Sequence, residues 1–169
     1  MRLISFLTLF ILGSLWAKSA GLTVGMLAPD FRMADQDSTL CSLTDYRGHW
    51  VVVYFYPKDD TPGCTKEACG IRDDYTKFAQ AGLTVLGISY DSPESHTTFK
   101  TKYALPFTLL SDSDKSVAAA YGAKGVLFAD RKTFLIDPAG IVRKIYEKVD
   151  VTGHSTEILA DHGRLRTGN

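Results

Sequence analysis

Apolar and polar residues along the chain follow a pattern that predicts alternating strands and helices. Every position from Trp50 to Tyr56 is β-branched or aromatic, which is typical of a strand buried on both faces. The largely apolar run Thr84–Ser89 predicts a second buried strand. Shorter strands are predicted at 30–34, 39–43, 108–110, 133–136 and 141–146. The last two would form a hairpin across the turn sequence Asp137-Pro-Ala-Gly140.

After residue 63 the apolar residues change to a helical period. Four of them recur at steps of three or four residues: Ala68, Ile71, Tyr75 and Phe78. This period predicts one helix over 64–81, and Gly82 would end it.

Three further helices are predicted downstream. Ser92 followed by Pro93 is typical of a helix start, because an N-cap residue precedes a proline at the first helical position. A second helix would be capped by Asp112 or Asp114, and a final helix would cover residues 153–165. Strands that alternate with helices and end in a hairpin predict an α/β fold with a mixed central sheet and helices on both faces.

The composition is that of an ordinary globular protein with balanced charge. The 169 residues are 45% hydrophobic and 22% charged, and lysine plus arginine equals aspartate plus glutamate at 19 each. This balance leaves no basic excess that would attract nucleic acid. We therefore expect no nucleic-acid partner and a single folded domain over residues 21–169.

Residues 1–20 resemble a secretory signal peptide. Arg2 precedes the apolar run Leu3–Leu15, and the small residues Ala17, Ser19 and Ala20 offer a cleavage site. The run is shorter than the about 20 residues that a membrane-spanning helix needs. We expect cleavage and export, to the periplasm in a bacterium. A retained N-terminal membrane anchor and a buried first helix are the alternatives.

Cys64 stands at the head of the first predicted helix, directly after a turn rich in proline and aspartate. Unpaired backbone N–H groups and the positive end of the helix dipole favour a thiolate at such a position. Among the three cysteines, Cys64 and Cys69 are the natural pair, and Cys41 is left over as a buried free thiol. A purely structural disulfide is the alternative for this pair in an exported protein.

A continuous helix cannot hold a disulfide between Cys64 and Cys69. Five residues along an α-helix rotate by about 140° and rise by about 7.5 Å, which separates the Cα atoms by about 8–9 Å. Disulfides need a Cα separation below about 7 Å. Either the segment is not helical when oxidised or, as we hypothesise, the first turn unwinds each time the bond forms.

The spacing Pro57-x-x-x-Thr61-x-x-Cys64 resembles the peroxidatic motif of the peroxiredoxins. The extension from Gly63 to Cys69 is similar to the bacterioferritin-comigratory-protein branch of that family, also called peroxiredoxin Q. Further similar segments lie at 25–31, 105–107, 110–112 and 131–137. The resemblance implies a thioredoxin-like fold and the reduction of hydrogen peroxide and organic hydroperoxides, without a cofactor or a metal.

The resemblance also implies roles for individual residues. Cys64 would be the peroxidatic cysteine, Cys69 the resolving cysteine, and Arg131 the cation that holds the thiolate and polarises the peroxide. Cys64 would become a sulfenic acid, condense with Cys69, and be reduced by thioredoxin or another dithiol. By its own chemistry Thr61 can accept from the Cys64 N–H or donate to substrate, and Pro57 stiffens the turn and shields the thiolate. We expect a monomer on the same resemblance.

Three other functions fit parts of the pattern. An exported thioredoxin-like disulfide oxidoreductase would need a C-x-x-C pair, which the sequence lacks. A copper-delivery protein on the same fold would use two thiolates and a histidine, for which His154 is the candidate. A purely structural exported domain would need none of the motif residues.

Structural roles are predicted for Glu67 and the histidines, and such a role is the alternative for Thr61. Glu67 is interpreted as a complement to the helix dipole, and Thr61 has the alternative of a helix cap. The histidines are interpreted as surface or capping residues: His49, His96, His154 and His162.

Overall fold

The protein is described by a computed structural model that covers residues 21–168. The strands are β1 (Arg32–Asp35), β2 (Leu40–Ser42), β3 (Trp50–Phe55), β4 (Leu83–Ser89), β5 (Thr108–Ser111), β6 (Lys132–Ile136) and β7 (Val142–Tyr146). The helices are α1 (Pro62–Asp73), α2 (Tyr75–Gln80), α3 (Pro93–Tyr103), α4 (Ser116–Ala120) and α5 (His154–Thr167). A 3-10 helix, Leu43–Tyr46, follows β2.

The strands join one mixed sheet in the order β2-β1-β5-β4-β3-β6-β7. Strands β3, β4 and β5 run parallel, and every other pairing is antiparallel. The predicted α/β architecture is therefore confirmed, and the hairpin of β6 and β7 lies at one edge. Because β3 and β4 are parallel, the loops that follow them meet, and the Asp59 N–H donates to Asp91 Oδ2 at 2.9 Å.

Strand β3 lies inside the sheet, between β4 and β6, and separates two apolar cores. Val52 and Tyr54 face a core that includes residues of α1, α2, α3 and α5. Val51 and Val53 face the opposite core, which includes residues of α4 and β1. Helices thus cover both faces of the sheet, as the continuous apolar pattern of β3 predicts. Gly87 of β4 pairs with Tyr54, and a Cβ at residue 87 would come within 2.7 Å of the tyrosine hydroxyl oxygen.

The prediction of a single helix over 64–81 is wrong, because Asp74 interrupts it and separates α1 from α2. This residue has φ −94° and ψ 5°, outside helical geometry. Its carboxylate accepts from Ser155 of α5 and from Lys77, both at 2.7 Å. The spacing of apolar residues continues across the break, so it cannot predict these side-chain contacts.

The start of α4 differs in detail from the prediction. Its N-cap residue is Lys115, which has a left-handed φ of 63°. The two predicted capping residues nevertheless satisfy free backbone N–H groups of this helix. Asp112 accepts from Val117 and Ala118, and Asp114 accepts from Ser116.

The expectation that all four histidines are surface or capping residues is wrong for three of them. His96, His154 and His162 are buried, with exposed fractions of 0%, 1% and 2%, and only His49 is exposed. The ring of His154 contacts Thr133 Oγ1 at 2.8 Å and Glu157 at 3.3 Å. Burial lowers the pKa of both His154 and His162. Isolated histidines carry no periodic signal, so their burial depends on contacts made only in the fold.

Between residues 21 and 168, no helix has both the length and the apolar character needed to cross a bilayer. The predicted signal peptide lies on residues 1–20, outside the described part of the chain. It stays a prediction, as does the domain boundary at residue 20.

Candidate active site

The loop between β3 and α1, residues 56–61, is the active-site loop. It places Cys64 at a helix N-terminus. Thr61 is the N-cap residue, with extended backbone, and Pro62 occupies the first helical position. The first helical hydrogen bond runs from the Thr65 N–H to the Thr61 carbonyl at 2.8 Å. The N–H groups of Gly63 and Cys64 precede it and have no acceptor among the described residues. Cys64 therefore sits at the electropositive end of α1.

Arg131 contacts the Cys64 sulfur although 67 positions separate the two residues in the sequence. Its Nη2 donates to Cys64 Sγ at 3.2 Å, and Cys64 is only 2% exposed. The register of the sheet explains the contact, because Lys132 of β6 pairs with Phe55 at the end of β3. Arg131 precedes β6 and the active-site loop follows β3, so the two segments leave the sheet side by side.

Glu67 completes the group and was missed as a functional residue. It is 1% exposed, and its Oε2 accepts from Arg131 Nη1 in a partly buried ion pair. The interpretation of Glu67 as a complement to the helix dipole is wrong, because the side chain points into the site. The signal that could have found it is the three-residue spacing from Cys64, which places both on one helix face.

Burial and mutual charge set the electrostatics of the group. Burial raises the pKa of Glu67 to about 7, although Arg131 acts in the opposite direction. Burial alone would lower the pKa of Arg131, but Glu67 and Cys64 more than offset it and leave the pKa raised. Arg131 is therefore a permanent cation whose guanidinium joins a carboxylate to a sulfur.

Thr61 and Pro57 lie in the active-site loop without a hydrogen bond to Cys64. The Thr61 hydroxyl donates to the Lys58 carbonyl at 3.0 Å, and its side chain does not cap the helix. Both residues are half-buried. The Thr61 oxygen keeps its acceptor capacity at the N-cap position, three residues before Cys64.

Cys69 lies in the same helix as Cys64, as the sequence predicts, and is half-buried. All three cysteines are free thiols in this structure. Cys41 is half-buried rather than fully buried, and its sulfur lies 3.8 Å from Asp35 Oδ2. Burial and the Asp35 carboxylate raise the pKa of Cys41, which disfavours its thiolate.

The copper-delivery alternative lacks a ligand set in the described chain. Within residues 21–168, no group of three or more histidine, cysteine, aspartate or glutamate side chains could hold a metal ion. His154, the candidate ligand, contacts Thr133 and Glu157 through its two ring nitrogens.

Comparison with known proteins identifies the family. The sequence model of the AhpC/TSA family matches residues 24–145. The peroxiredoxin bcp of Coxiella burnetii is 48% identical over 153 residues, which cover 84% of this chain and 97% of that protein. The chain belongs to the AhpC/TSA family of peroxiredoxins. It is thus a thiol-dependent peroxidase.

Two further relatives place this peroxiredoxin near the peroxiredoxin Q branch. The chloroplastic peroxiredoxin Q of Oryza sativa subsp. japonica is 50% identical over 125 residues, which cover 72% of this chain and 58% of that one. The bacterioferritin comigratory protein of Xanthomonas campestris is 36% identical with a TM-score of 0.76. That match covers 80% of this chain and 91% of the other. The predicted family and thioredoxin-like fold are confirmed.

The raised pKa of Glu67 predicts a pH-dependent stability for this peroxiredoxin. The folded state binds the Glu67 proton more tightly than the unfolded state, with a pKa of about 7 against 4.5. Stability from this group is full below pH 4.5 and is lost as pH rises through about 7. Glu67→Gln should remove this loss, on the order of 2 kcal/mol, in urea unfolding of the reduced protein compared between about pH 5 and about pH 8.

Glu147→Gln is the matched control, because Glu147 is largely exposed. This variant should show the same pH dependence of stability as the wild-type protein. Equal pH dependence in Glu67→Gln and wild type would contradict the prediction.

Proposed function

We propose that this peroxidase reduces hydrogen peroxide and organic hydroperoxides through Cys64 and resolves the oxidised cysteine through Cys69. The observation that carries the proposal is the 3.2 Å contact between Arg131 Nη2 and Cys64 Sγ at the N-terminus of α1. A permanent cation and a helix dipole both favour the thiolate, which is the nucleophilic form of cysteine. Organic hydroperoxides are included because the Xanthomonas campestris relative has alkyl peroxide reduction activity.

The first step transfers one oxygen atom to sulfur. The Cys64 thiolate attacks the near oxygen of the hydroperoxide, the O–O bond breaks, and the departing hydroxide or alkoxide takes a proton to become water or alcohol. Charge develops on the departing oxygen, so donors aimed at it lower the barrier. The Arg131 guanidinium and the free N–H groups of Gly63 and Cys64 are such donors. The Thr61 hydroxyl would orient the peroxide.

The second step closes a disulfide and needs a change of α1. The Cys64 sulfenic acid condenses with the Cys69 thiol, which forms the S–S bond and releases water. Both cysteines lie inside α1, and five residues of helix keep their Cα atoms about 8–9 Å apart. A disulfide needs less than about 7 Å, so part of α1 must unwind before the bond can form. Thioredoxin or another dithiol then reduces the disulfide, and the working unit would be a monomer.

Peroxide turnover tests the peroxidase function. Purified protein supplied with hydrogen peroxide and thioredoxin should consume peroxide, and Cys64→Ser should abolish consumption because the attacking sulfur is gone. Cys41→Ser is the matched control and should retain the wild-type rate, since Cys41 lies in β2 outside the site. Reduction of a protein disulfide without peroxide consumption would favour a disulfide oxidoreductase. Stoichiometric copper binding without consumption would favour a copper carrier.

Mass spectrometry and hydrogen exchange test the resolution step. One equivalent of peroxide should link Cys64 to Cys69 within one chain, whereas Cys69→Ser should stop at a sulfenic acid that a sulfenate-specific reagent traps. The amides of α1 should lose protection from exchange in the disulfide form, because the helix must unwind. A linkage that includes Cys41, or unchanged protection of α1 after oxidation, would contradict this proposal.

We also propose export of the mature protein, on the charged and apolar pattern of residues 1–20. A bacterial host should contain a periplasmic chain that lacks about 20 N-terminal residues in its intact mass. A full-length chain in the membrane fraction would favour the retained anchor, and a full-length chain in the cytosol would contradict export.

A further inference from the structure

His96 is a buried histidine that the proposed reaction does not use. It lies in the first turn of α3 and is 0% exposed. Its Nδ1 lies 2.9 Å from Asp59 Oδ2, and its Nε2 lies 3.2 Å from the Leu110 carbonyl oxygen. Asp59 belongs to the active-site loop, and Leu110 belongs to β5. One imidazole ring therefore connects the loop that leads to Cys64 with the central sheet.

Asp59 is the centre of a buried hydrogen-bond cluster. Its side chain is 5% exposed. Tyr56 donates to its Oδ1 at 2.7 Å, and Ser95 donates to its Oδ2 at 2.7 Å. Its backbone N–H donates to Asp91 Oδ2 at 2.9 Å. Both the side chain and the main chain of this residue are thus held, and a buried carboxylate without such donors would be unfavourable.

The two ring nitrogens of His96 both face hydrogen-bond acceptors of this cluster. The Leu110 carbonyl and an ionised Asp59 can only accept hydrogen bonds. His96 satisfies both only when each ring nitrogen carries a hydrogen, which is the imidazolium form. In the neutral tautomer protonated at Nδ1, Nε2 would face the Leu110 carbonyl without a hydrogen. In the tautomer protonated at Nε2, the only donor near Nδ1 among the described residues is the Tyr56 hydroxyl at 3.4 Å, which already donates to Asp59. An imidazolium at this position would also supply a positive charge beside the buried carboxylate.

We propose that His96 is a positioning residue for the peroxidase, and that it acts through Asp59 on the placement of Thr61 and Cys64. Asp60, between Asp59 and Thr61, has a left-handed φ of 56°, which a non-glycine residue keeps only when its surroundings hold it. Without His96 the buried carboxylate loses a hydrogen-bond partner at 2.9 Å and the loop shifts. A misplacement of about 1 Å near reacting atoms lowers a rate by about 10²-fold.

Two reactions of Cys64 separate positioning from thiolate formation. Sulfenic acid formation with hydrogen peroxide needs the loop donors in place, whereas alkylation by iodoacetamide needs only an accessible thiolate. In a background without Cys41 and Cys69, His96→Gln should slow the peroxide reaction by about 10- to 100-fold. Alkylation should stay unchanged or become faster, because Arg131 still contacts the sulfur and the loop is looser.

The matched control is His162→Gln, which makes the same change at a buried histidine that packs against Trp50, far from the loop in sequence. It should leave both rates at the wild-type value. An unchanged peroxide rate in His96→Gln would overturn the proposal. A parallel fall of both rates would also overturn it, because that result indicates a lost thiolate or a damaged fold.

A second variant tests the charge pairing and does not depend on the folding of the first. Asp59→Asn combined with His96→Gln replaces the ion pair by two neutral amides that can hydrogen-bond. It should react with peroxide at least about tenfold faster than His96→Gln, or within about tenfold of wild type if the single variant does not fold. A double variant slower than these limits would overturn the charge pairing.

The inference rests on the proposed role of Thr61, and Thr61→Val distinguishes the two failures. A slow Thr61→Val together with a normal His96→Gln overturns only the inference. A normal Thr61→Val together with a slow His96→Gln overturns the proposed role of Thr61 and the route through it.

Discussion

The guanidinium of Arg131 lies between the Glu67 carboxylate and the Cys64 sulfur, and the proposed chemistry of the site depends on this single shared cation. Two anions and one cation in a buried group leave one negative charge unmatched, which burial disfavours. The raised pKa of Glu67, about 7, means that its carboxyl gives up its charge readily near neutral pH. In the proposed reaction, a protonated Glu67 would leave the guanidinium to pair with the Cys64 thiolate alone.

The sheet supplies this contact between residues that are distant in sequence. Arg131 precedes β6, and β6 pairs antiparallel with β3 in a register that places Lys132 opposite Phe55. A shift of the register by one residue would turn each side chain of β6 to the other face of the sheet. The position of the cation therefore depends on the packing of β6 against both cores. The hydrophobic pattern of the strands therefore fixes the register that brings Arg131 to the Cys64 sulfur.

The sequence predicts local features of this protein well and long-range polar contacts poorly. The strands, the helix start at Pro93 and the placement of Cys64 after a proline turn follow from patterns within a few residues. Arg131 could be assigned only through resemblance to a family, because spacing does not connect it to Cys64. Glu67 was missed although its spacing from Cys64 was visible, since a glutamate near a helix start is usually explained by the dipole. The burial of His96 depends on a carboxylate in another loop, and no periodic pattern records such a contact.

Helix α1 serves two requirements that conflict. As a helix it directs its dipole at Cys64, and as the same helix it keeps Cys69 too distant to form a disulfide. Helices of this length, 12 residues, are marginal in water, so α1 depends on packing through Cys64, Ala68 and Ile71. In the proposed cycle, oxidation replaces a thiolate by a neutral sulfenic acid, and the attraction between Arg131 and Cys64 weakens. Because that attraction helps to hold the first turn in place, the chemistry itself loosens the segment that must unwind. In that cycle the break at Asp74, whose carboxylate accepts from Ser155 of α5, would separate the unwinding of α1 from α2.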